Sequence, residues 1–274
     1  MDIRCIALDL DRTTLNEHAR LSDGNRQALE YAISKGVHIV IASGRGFASL
    51  PKDVISVPGI EYAITSNGAS VYHIPSGKRL MSYTLAPESV QKILDLTAGM
   101  HLAYEAFMDG VAYAQADYVK NPGLYGAANA TQYIRSTRHP VSDFQTFLLD
   151  HCKELESIDL VVSSETQMAE LRPLLESNVP DLYITSSVHQ LLELSHRDAG
   201  KHSGVRFVAD LLGISPSQIA AFGDGDNDVD MLSFVGCGIA VENASPSCLA
   251  AADFVTGHHR DDGVANGIYN ILKL

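Results

Sequence analysis

Short apolar runs and amphipathic stretches alternate along the chain, and this pattern predicts β-strands and α-helices in turn. Residues 5–8 and 37–41 are compact apolar or β-branched runs that predict buried strands. The stretch between them has apolar residues at helical spacing, a capping Ser22 or Asp23 at its start, and Gly36 as a stop. A strand–helix–strand unit of this length predicts parallel pairing of the two strands.

The same pattern returns near the C-terminus. Ser215, Pro216 and Gln218 have the spacing of an N-cap, a first-turn proline and a capping box, and residues 219–222 predict another strand. Parallel strands end along one edge of their sheet, where open α/β folds bind ligands. Polar clusters follow these three strands, so we expect the clusters to meet at this edge.

Residues 83–189 have a different pattern, which predicts a separate inserted domain. The helical stretch PESVQKILDLTAG precedes two strands joined at Asp109-Gly110, and a helix–strand–helix–strand series follows. The basic residues of YIRSTRHP are interpreted either as a solvated loop or as a contact to a substrate; they are Arg135, Arg138 and His139.

Composition and charge narrow the class of protein. The chain has 274 residues, of which 46% are hydrophobic, which suits one large domain or two of moderate size. A formal net charge of −13 disfavours nucleic acid, whose binding depends on clustered Lys and Arg. The four cysteines lack C-x-x-C spacing, as is typical of reduced thiols, and no apolar run approaches the roughly 20 residues that span a membrane. We therefore expect a cytoplasmic protein that binds neither nucleic acid nor a membrane.

Two carboxylates, Asp9 and Asp11, follow the first strand. Strand alternation predicts that they share a direction, and like charges this close repel unless a cation lies between them. Asp224 and Asp228 follow the strand at residues 219–222. Carboxylates, water and a phosphate oxygen form the shell that Mg²⁺ prefers, and beside such an ion one aspartate can attack phosphorus while the other moves the proton. The pattern predicts a magnesium-assisted site that forms an aspartyl-phosphate.

Three other motif interpretations fail. The segment from Asp224 imitates a calcium loop, but Val229 and Val235 stand where an EF-hand needs glycine and glutamate. SGRGFAS has Ser49 where a dinucleotide fingerprint needs its third glycine. No histidine or cysteine pair has zinc spacing.

The order of four motifs resembles the haloacid dehalogenase superfamily of phosphohydrolases, specifically its Cof-type branch. The motifs are D-L-D-x-T from Asp9, A-S-G-R from Ala42, the lone Lys201, and G-D-G-x-N-D from Gly223. The resemblance covers almost the whole chain and implies an α/β fold: a Rossmann-like core with a parallel sheet and helices on both faces, plus an inserted α/β cap domain. It implies a core at residues 1–82 and 190–274, and a cap that determines substrate specificity at residues 83–189.

The resemblance also implies a role for each matching residue. Asp9 matches the nucleophile and Asp11 the acid/base. Phosphate contacts are implied for the Leu10 and Gly44 amides and for the side chains of Ser43, Lys201 and Asn227. The implied ligands of Mg²⁺ are Asp9, Asp224 and the main-chain carbonyl of Asp11. Asp228 is expected to orient Lys201 or metal-bound water.

Two arginines near these motifs leave alternatives open. Arg45 either binds an anion or pairs with a nearby acid. Arg12 stands where the superfamily usually has a glycine that relaxes the turn. It indicates either a different turn geometry or a positive group at the mouth of the site, which would favour substrates with a second anionic group.

The sequence therefore favours a magnesium-dependent phosphatase that acts on a small phosphorylated metabolite, such as a sugar phosphate, a nucleotide or a phosphorylated cofactor. The alternatives are a phosphomutase or phosphotransferase of the same fold, and a catalytically silent module that binds phosphate. We expect a monomer or a weak homodimer.

Overall fold

The computed structural model describes residues 2–274, which divide into two compact units. The first unit contains the residues up to Arg45 together with Leu50–Met81 and Gly200–Leu274, and the second contains Gly46–Ser49 and Ser82–Ala199. Each unit has its own β-sheet. All residues of the predicted insert, 83–189, lie in the second unit.

The first unit is built on an eight-stranded sheet in the order β14-β13-β12-β1-β2-β3-β4-β5. Its strands are β1 (Cys5–Leu8), β2 (His38–Ala42), β3 (Ile60–Thr65), β4 (Ser70–His73), β5 (Lys78–Ser82), β12 (Ile219–Gly223), β13 (Cys237–Ala240) and β14 (Phe254–Val255). The pairing of β1 with β2 is parallel, as predicted, with Cys5 opposite His38. On its other side β1 pairs in parallel with β12, with Cys5 opposite Ile219. The chain therefore continues from β1 to β2 on one side and returns to β12 on the other side. The strand order reverses between β1 and β12, and ligands of parallel α/β sheets bind at such a switch point.

Helices cover both faces of this sheet, and this fold class is confirmed. The helices are α1 (Asp23–Ser34), α2 (Lys52–Ile55), α8 (Lys201–Leu212), α9 (Val229–Phe234), α10 (Pro246–Ala251) and α11 (Gly263–Asn266). Ala7 and Val40 point into one apolar core together with Val208 of α8 and Leu232 of α9. Their strand neighbours Ile6 and Ile41 alternate to the opposite face and are also buried.

Local signals fixed several element ends as expected. Ser22 caps α1 by accepting a hydrogen bond from the Asn25 amide at 3.2 Å, which decides between the two predicted caps. The capping box of Ser215 and Gln218 is present, but it closes a single 3₁₀ turn, Pro216–Gln218. Asp109 and Gly110 both have positive φ, 49° and 74°, as a two-residue hairpin turn requires.

The second unit has a six-stranded sheet in the order β10-β11-β9-β6-β7-β8. Its strands are β6 (Leu102–Met108), β7 (Val111–Gln115), β8 (Arg138–Val141), β9 (Leu155–Val162), β10 (Leu182–Thr185) and β11 (Leu191–His196), and its helices are α3 (Pro87–Thr97), α4 (Ala116–Lys120), α5 (Thr131–Thr137), α6 (Phe144–Asp150) and α7 (Glu165–Asn178). One apolar core contains Ile93 of α3, Phe144 of α6, Leu171 of α7 and Ile158 of β9. A smaller cluster forms around Tyr118 and Ile134, on α4 and α5.

The boundary after the insert differs from the sequence prediction, which began the second core segment at residue 190. β11 pairs antiparallel with β9 and β10, so it belongs to the second sheet. The reason is packing, because Leu192 and Leu194 of β11 lie in the apolar core of the second unit. The first unit resumes only at Gly200.

Membrane insertion was not expected from the sequence. Within residues 2–274, every helix falls short of the length and apolar character needed to cross a bilayer.

Candidate active site

The turn after β1 separates Asp9 from Asp11. The strand ends at Leu8, and Arg12 adopts a left-handed conformation with φ 61° and ψ 10°. Thr14 Oγ1 donates to the Asp9 carbonyl oxygen at 2.5 Å and closes the turn. Asp9 is buried, whereas the Asp11 side chain is 50% exposed. Because strand geometry ends before Asp9, alternation does not govern the two carboxylates, and they contact different cations.

Lys201 is the cation on Asp9. It is the first residue of α8, its side chain is fully buried, and its ammonium lies 2.6 Å from Asp9 Oδ1 and 2.7 Å from Asp228 Oδ1. Burial alone would lower the pKa of Lys201, but the carboxylates of Asp228 and Asp9 outweigh it and raise this pKa. Burial raises the pKa of Asp9, and the carboxylates of Asp228 and Asp224 add to the increase while Lys201 opposes it. The Lys201 ammonium is therefore a buried positive charge shared by the two carboxylates.

Asp228 holds Lys201 in place. Its Oδ2 accepts hydrogen bonds from the Asp224 and Gly225 amides, both at 3.0 Å, while Oδ1 accepts from Lys201. Both carboxylate oxygens are therefore engaged by protein donors. Of the two roles expected for Asp228, the geometry favours orientation of Lys201.

Asp9 and Asp224 fit a divalent cation. Carboxylate oxygens of Asp9, Asp224 and Asp228 all lie within 4.8 Å of one another. Asp9 Oδ2 is buried and has no hydrogen-bond partner, which is costly for a carboxylate oxygen unless a cation completes it. Burial and Asp228 raise the pKa of Asp224 to about 7, against the opposing effects of Arg12, Lys201 and Thr13. This all-oxygen donor set suits Mg²⁺.

The Asp11 carboxylate is held outside this group. Arg45 Nε donates to Asp11 Oδ2 at 2.7 Å, and Arg45 Nη2 donates to Asp11 Oδ1 at 2.6 Å. This two-point contact fixes the plane of the carboxylate as well as its position. The sequence left two interpretations of Arg45, anion binding or pairing with a nearby acid. In the structure Arg45 pairs with the acid Asp11.

Ser43 is buried in the loop that directly follows β2. Its amide donates to the Ile64 carbonyl at 2.9 Å, its carbonyl accepts from the Asn67 amide at 3.1 Å, and its Oγ accepts from the Arg45 amide at 3.2 Å. Gly44, between Ser43 and Arg45, is half-buried. These contacts place the Ser43 hydroxyl in a fixed position at the end of β2, next to the end of β1.

Asn227 and Asn67 join two of the strand ends. Asn227 Nδ2 donates to Asn67 Oδ1 at 3.0 Å, and both residues are buried. The Asn67 carbonyl accepts from the Gly200 amide at 3.0 Å, directly before Lys201. Asn67 therefore ties the loop after β3 to the start of α8 and to the loop after β12.

Comparison with known proteins identifies the family of this chain. Residues 6–268 match the family of haloacid dehalogenase-like hydrolases. The chain belongs to this family. Phosphatase YwpJ of Bacillus subtilis is 30% identical, with 98% of this chain and 100% of that protein covered. A 5-amino-6-(5-phospho-D-ribitylamino)uracil phosphatase of Bacillus subtilis, YwtE, is 28% identical, with 99% of both chains covered.

A solved structure gives the same result for the fold. A haloacid dehalogenase-like hydrolase from Bacillus subtilis superposes with a TM-score of 0.82 at 27% identity, covering 98% of this chain and 100% of that one. The predicted superfamily, its Cof-type branch and an enzyme that hydrolyses phosphoric monoesters are confirmed.

Arg12 is a departure from the usual haloacid dehalogenase motif, which has glycine there. The backbone keeps a left-handed conformation although the residue is arginine, so a different turn geometry is not needed. Asn243 Nδ2 donates to the Arg12 carbonyl at 2.9 Å and supports the turn. The side chain is 58% exposed, and its Nε lies 3.6 Å from Asp224 Oδ2.

The basic group in the second unit is not a uniformly solvated loop. Arg138 is the first residue of β8, its side chain is 8% exposed, and its Nε and Nη2 both donate to Glu105 Oε2, at 2.9 and 2.6 Å. The solvated interpretation fails for Arg138 because Glu105 on β6 pairs with it inside the unit. Arg135 and His139 are exposed.

Sequence reasoning missed two residues of the site. Thr13 Oγ1 donates to Asp224 Oδ1 at 3.2 Å, and Asn67 contacts Asn227. The signal for Asn67 was present in the SNG turn, because consecutive positive φ values of 49°, 50° and 89° at Ser66, Asn67 and Gly68 require small or amide residues. Thr13 is the threonine of the D-L-D-x-T motif, but no role had been assigned to it.

Proposed function

We propose that this protein is a magnesium-dependent phosphatase of small phosphorylated metabolites that works through a phosphoaspartate on Asp9. The observation that carries the proposal is the difference between the two carboxylate oxygens of Asp9. One of its oxygens accepts from Lys201, and the other is buried without a donor. A nucleophilic carboxylate needs this combination, since a saturated carboxylate has no oxygen left for phosphorus or for a cation.

In the first step, a carboxylate oxygen of Asp9 forms a bond to phosphorus, and the bond between phosphorus and the ester oxygen breaks. Asp11 donates a proton to the leaving oxygen. In the second step Asp11 takes a proton from water, the water oxygen attacks phosphorus, and inorganic phosphate and the free Asp9 carboxylate are released. Asp11 must leave its pairing with Arg45, at least in part, to exchange these protons.

The cationic groups prepare the phosphoryl position. Lys201, held by Asp228, supplies a fixed positive charge, which at about 4 Å contributes about 4 kcal/mol at an effective dielectric near 20. Ser43, the Leu10 and Gly44 amides and Asn227 are assigned to the phosphoryl oxygens. Asp9, Asp224 and the Asp11 carbonyl would hold Mg²⁺, which would supply further charge neutralisation.

Selection among metabolites is assigned to the second unit, which supplies no group to the chemistry above. Replacing residues 82–199 by a short Gly-Ser linker should remove the ranking of substrates while an aryl phosphate is still hydrolysed. If the shortened chain folds and ranks metabolites as the full chain does, selectivity does not reside in this unit.

A monomeric or weakly dimeric state and a cytoplasmic location remain predictions.

The test is phosphate release from a metabolite panel, with Mg²⁺ and with excess chelator. The panel contains para-nitrophenyl phosphate, sugar phosphates, nucleotides and a phosphoribityl compound of the kind named for YwtE. We expect release that requires Mg²⁺ and disappears in the Asp9→Asn protein. Equal turnover in excess chelator would remove the metal assignment. Transfer to a sugar hydroxyl without release would identify a phosphotransferase, and phosphate binding without turnover would identify a silent module.

A further inference from the structure

The backbone of Arg12 is in the left-handed region, which is unfavourable for a residue with a side chain. A non-glycine residue in the left-handed region is disfavoured by roughly 1 kcal/mol or more relative to glycine. The chain nevertheless keeps φ 61° here with an arginine, supported by the Asn243 contact to its carbonyl. Strain of this kind at a functional site suggests that the side chain has a role of its own.

The side chain lies against Asp224. Arg12 Nε is 3.6 Å from Asp224 Oδ2, while Thr13 Oγ1 donates to Asp224 Oδ1. Lys201 is already engaged with Asp9 and Asp228. Among residues 2–274, the ion pair that the structure gives Asp224 is the one with Arg12.

Building on the proposed function, we propose that Arg12 competes with the divalent cation for Asp224. Its guanidinium compensates the carboxylate when no metal is bound, and it repels a second cation that approaches the same oxygens. Magnesium uptake then requires the arginine to move toward solvent, which its 58% exposure permits. The enzyme therefore binds Mg²⁺ more weakly than the same site with an uncharged residue 12, and its activity follows the magnesium concentration over a higher range.

The experiment is calorimetric titration of the full-length protein with MgCl₂ in the absence of substrate, at pH 8.5 and low salt. Alkaline pH keeps protons scarce as competitors for the carboxylate ligands. Arg12→Gln should tighten the magnesium Kd by about 3- to 30-fold, since the pair is partly screened by water. Equal or weaker binding by Arg12→Gln would overturn the inference.

Three further variants separate charge from strain. Arg12→Gly removes both the charge and the left-handed cost, and it should tighten binding as Arg12→Gln does. Arg12→Lys retains the charge and should stay near the wild-type Kd. Arg4→Gln is the matched control, because Arg4 is exposed and precedes β1, at the opposite end of the strand from Asp9. Tightening by Arg4→Gln as large as that by Arg12→Gln would also overturn the inference, because it would show an effect of net charge alone.

The outcome distinguishes this inference from the proposed function. If wild type binds Mg²⁺ through Asp224, so that Asp224→Asn abolishes the heat, and all Arg12 variants bind equally, only the competition is wrong. If neither wild type nor any Arg12 variant binds Mg²⁺, the metal assignment of the proposed function fails together with it.

Discussion

The Arg45 guanidinium donates a hydrogen bond to each carboxylate oxygen of Asp11, with N···O distances of 2.7 and 2.6 Å. The two aspartates of the first motif therefore have different environments. Asp11 is half exposed and saturated by a guanidinium. Asp9 is buried and has one oxygen without a donor. This difference supports the proposal that Asp11, which can reach water, transfers the proton and that Asp9, held in place by Lys201, attacks phosphorus.

Asparagine substitutions should separate these two roles. Asp11→Asn loses proton transfer, which is typically worth about 10²- to 10⁴-fold in rate. With an aryl or acyl phosphate, whose leaving group needs little protonation, the first step should survive better than the second. Rapid-quench mass spectrometry should then show an adduct of about 80 Da, the mass of HPO₃, on Asp9.

Asp9→Asn is the control for that experiment, because it removes the attacking oxygen. No adduct should form in it at any time, and the double variant should also stay unmodified. An adduct on Ser43, or one that persists in Asp9→Asn, would show that the nucleophile is assigned wrongly.

Gly68 should be intolerant of a side chain. A Cβ there would lie 2.0 Å from the Gly200 carbonyl oxygen and 2.9 Å from the Lys201 amide, at φ +89°. Gly68→Ala must therefore displace the start of α8, which carries Lys201. We expect kcat to fall by at least about 10-fold, together with a loss of about 1 to 3 kcal/mol in the free energy of unfolding.

Gly77 provides the matched control for Gly68. It also has a positive φ, +64°, but a Cβ there would meet nothing within 4 Å. Gly77→Ala should lose about 1 kcal/mol of stability and keep the wild-type kcat. Wild-type kcat in Gly68→Ala as well would show that the position of Lys201 does not depend on this contact.

The carboxyl group of Asp159 should lower the free energy of unfolding at neutral pH. It is buried on β9, opposite Glu105 and Glu193 of the neighbouring strands. Burial, with the Glu193 and Glu105 charges, raises the pKa of Asp159 well above its ordinary value, against the effect of Arg138. The folded state thus favours the neutral carboxyl, so its contribution to stability is full below about pH 4 and is lost as the pH rises.

Asp159→Asn should therefore raise the free energy of unfolding at pH 7 by about 1 to 4 kcal/mol, with a smaller gain at pH 4.5. Urea unfolding at the two pH values measures this. The control is Asp143→Asn in the same unit, because Asp143 is exposed and its hydrogen bonds with Thr146 lower its pKa. A gain in the control, or a loss in Asp159→Asn at pH 7, would contradict the prediction.

Much of the site could be predicted because its parts are local. The apolar run at residues 5–8 predicts a strand from its own residues, and Ser22 caps α1 through a contact three residues away. Parallel pairing then brings the C-terminal ends of β1, β2 and β12 together for any conformation of the loops that follow them. Asp9, Ser43 and Asp224 could therefore be placed at one sheet edge from the sequence.

The assignment of β11 could not be made in this way. Leu191–His196 has the alternation of a strand, which either sheet could accept. Leu192 and Leu194 find their partners in an apolar core formed by α3, α6 and α7, and this depends on packing over a long stretch of chain. A local pattern contains no information about which of two sheets buries a strand.

The sequence by itself determined which chemical groups stand at the strand ends, and only the tertiary structure decided which cation contacts which carboxylate. Lys201 reaches Asp9 across 192 residues of chain, and Arg45 reaches Asp11 across 34. Arg12, next to Asp11 in sequence, lies instead against Asp224. The physical reason is that an ion pair depends on the direction and burial of two side chains at once, and both are set by the turn after β1 and by the packing of α8, which strand periodicity does not describe.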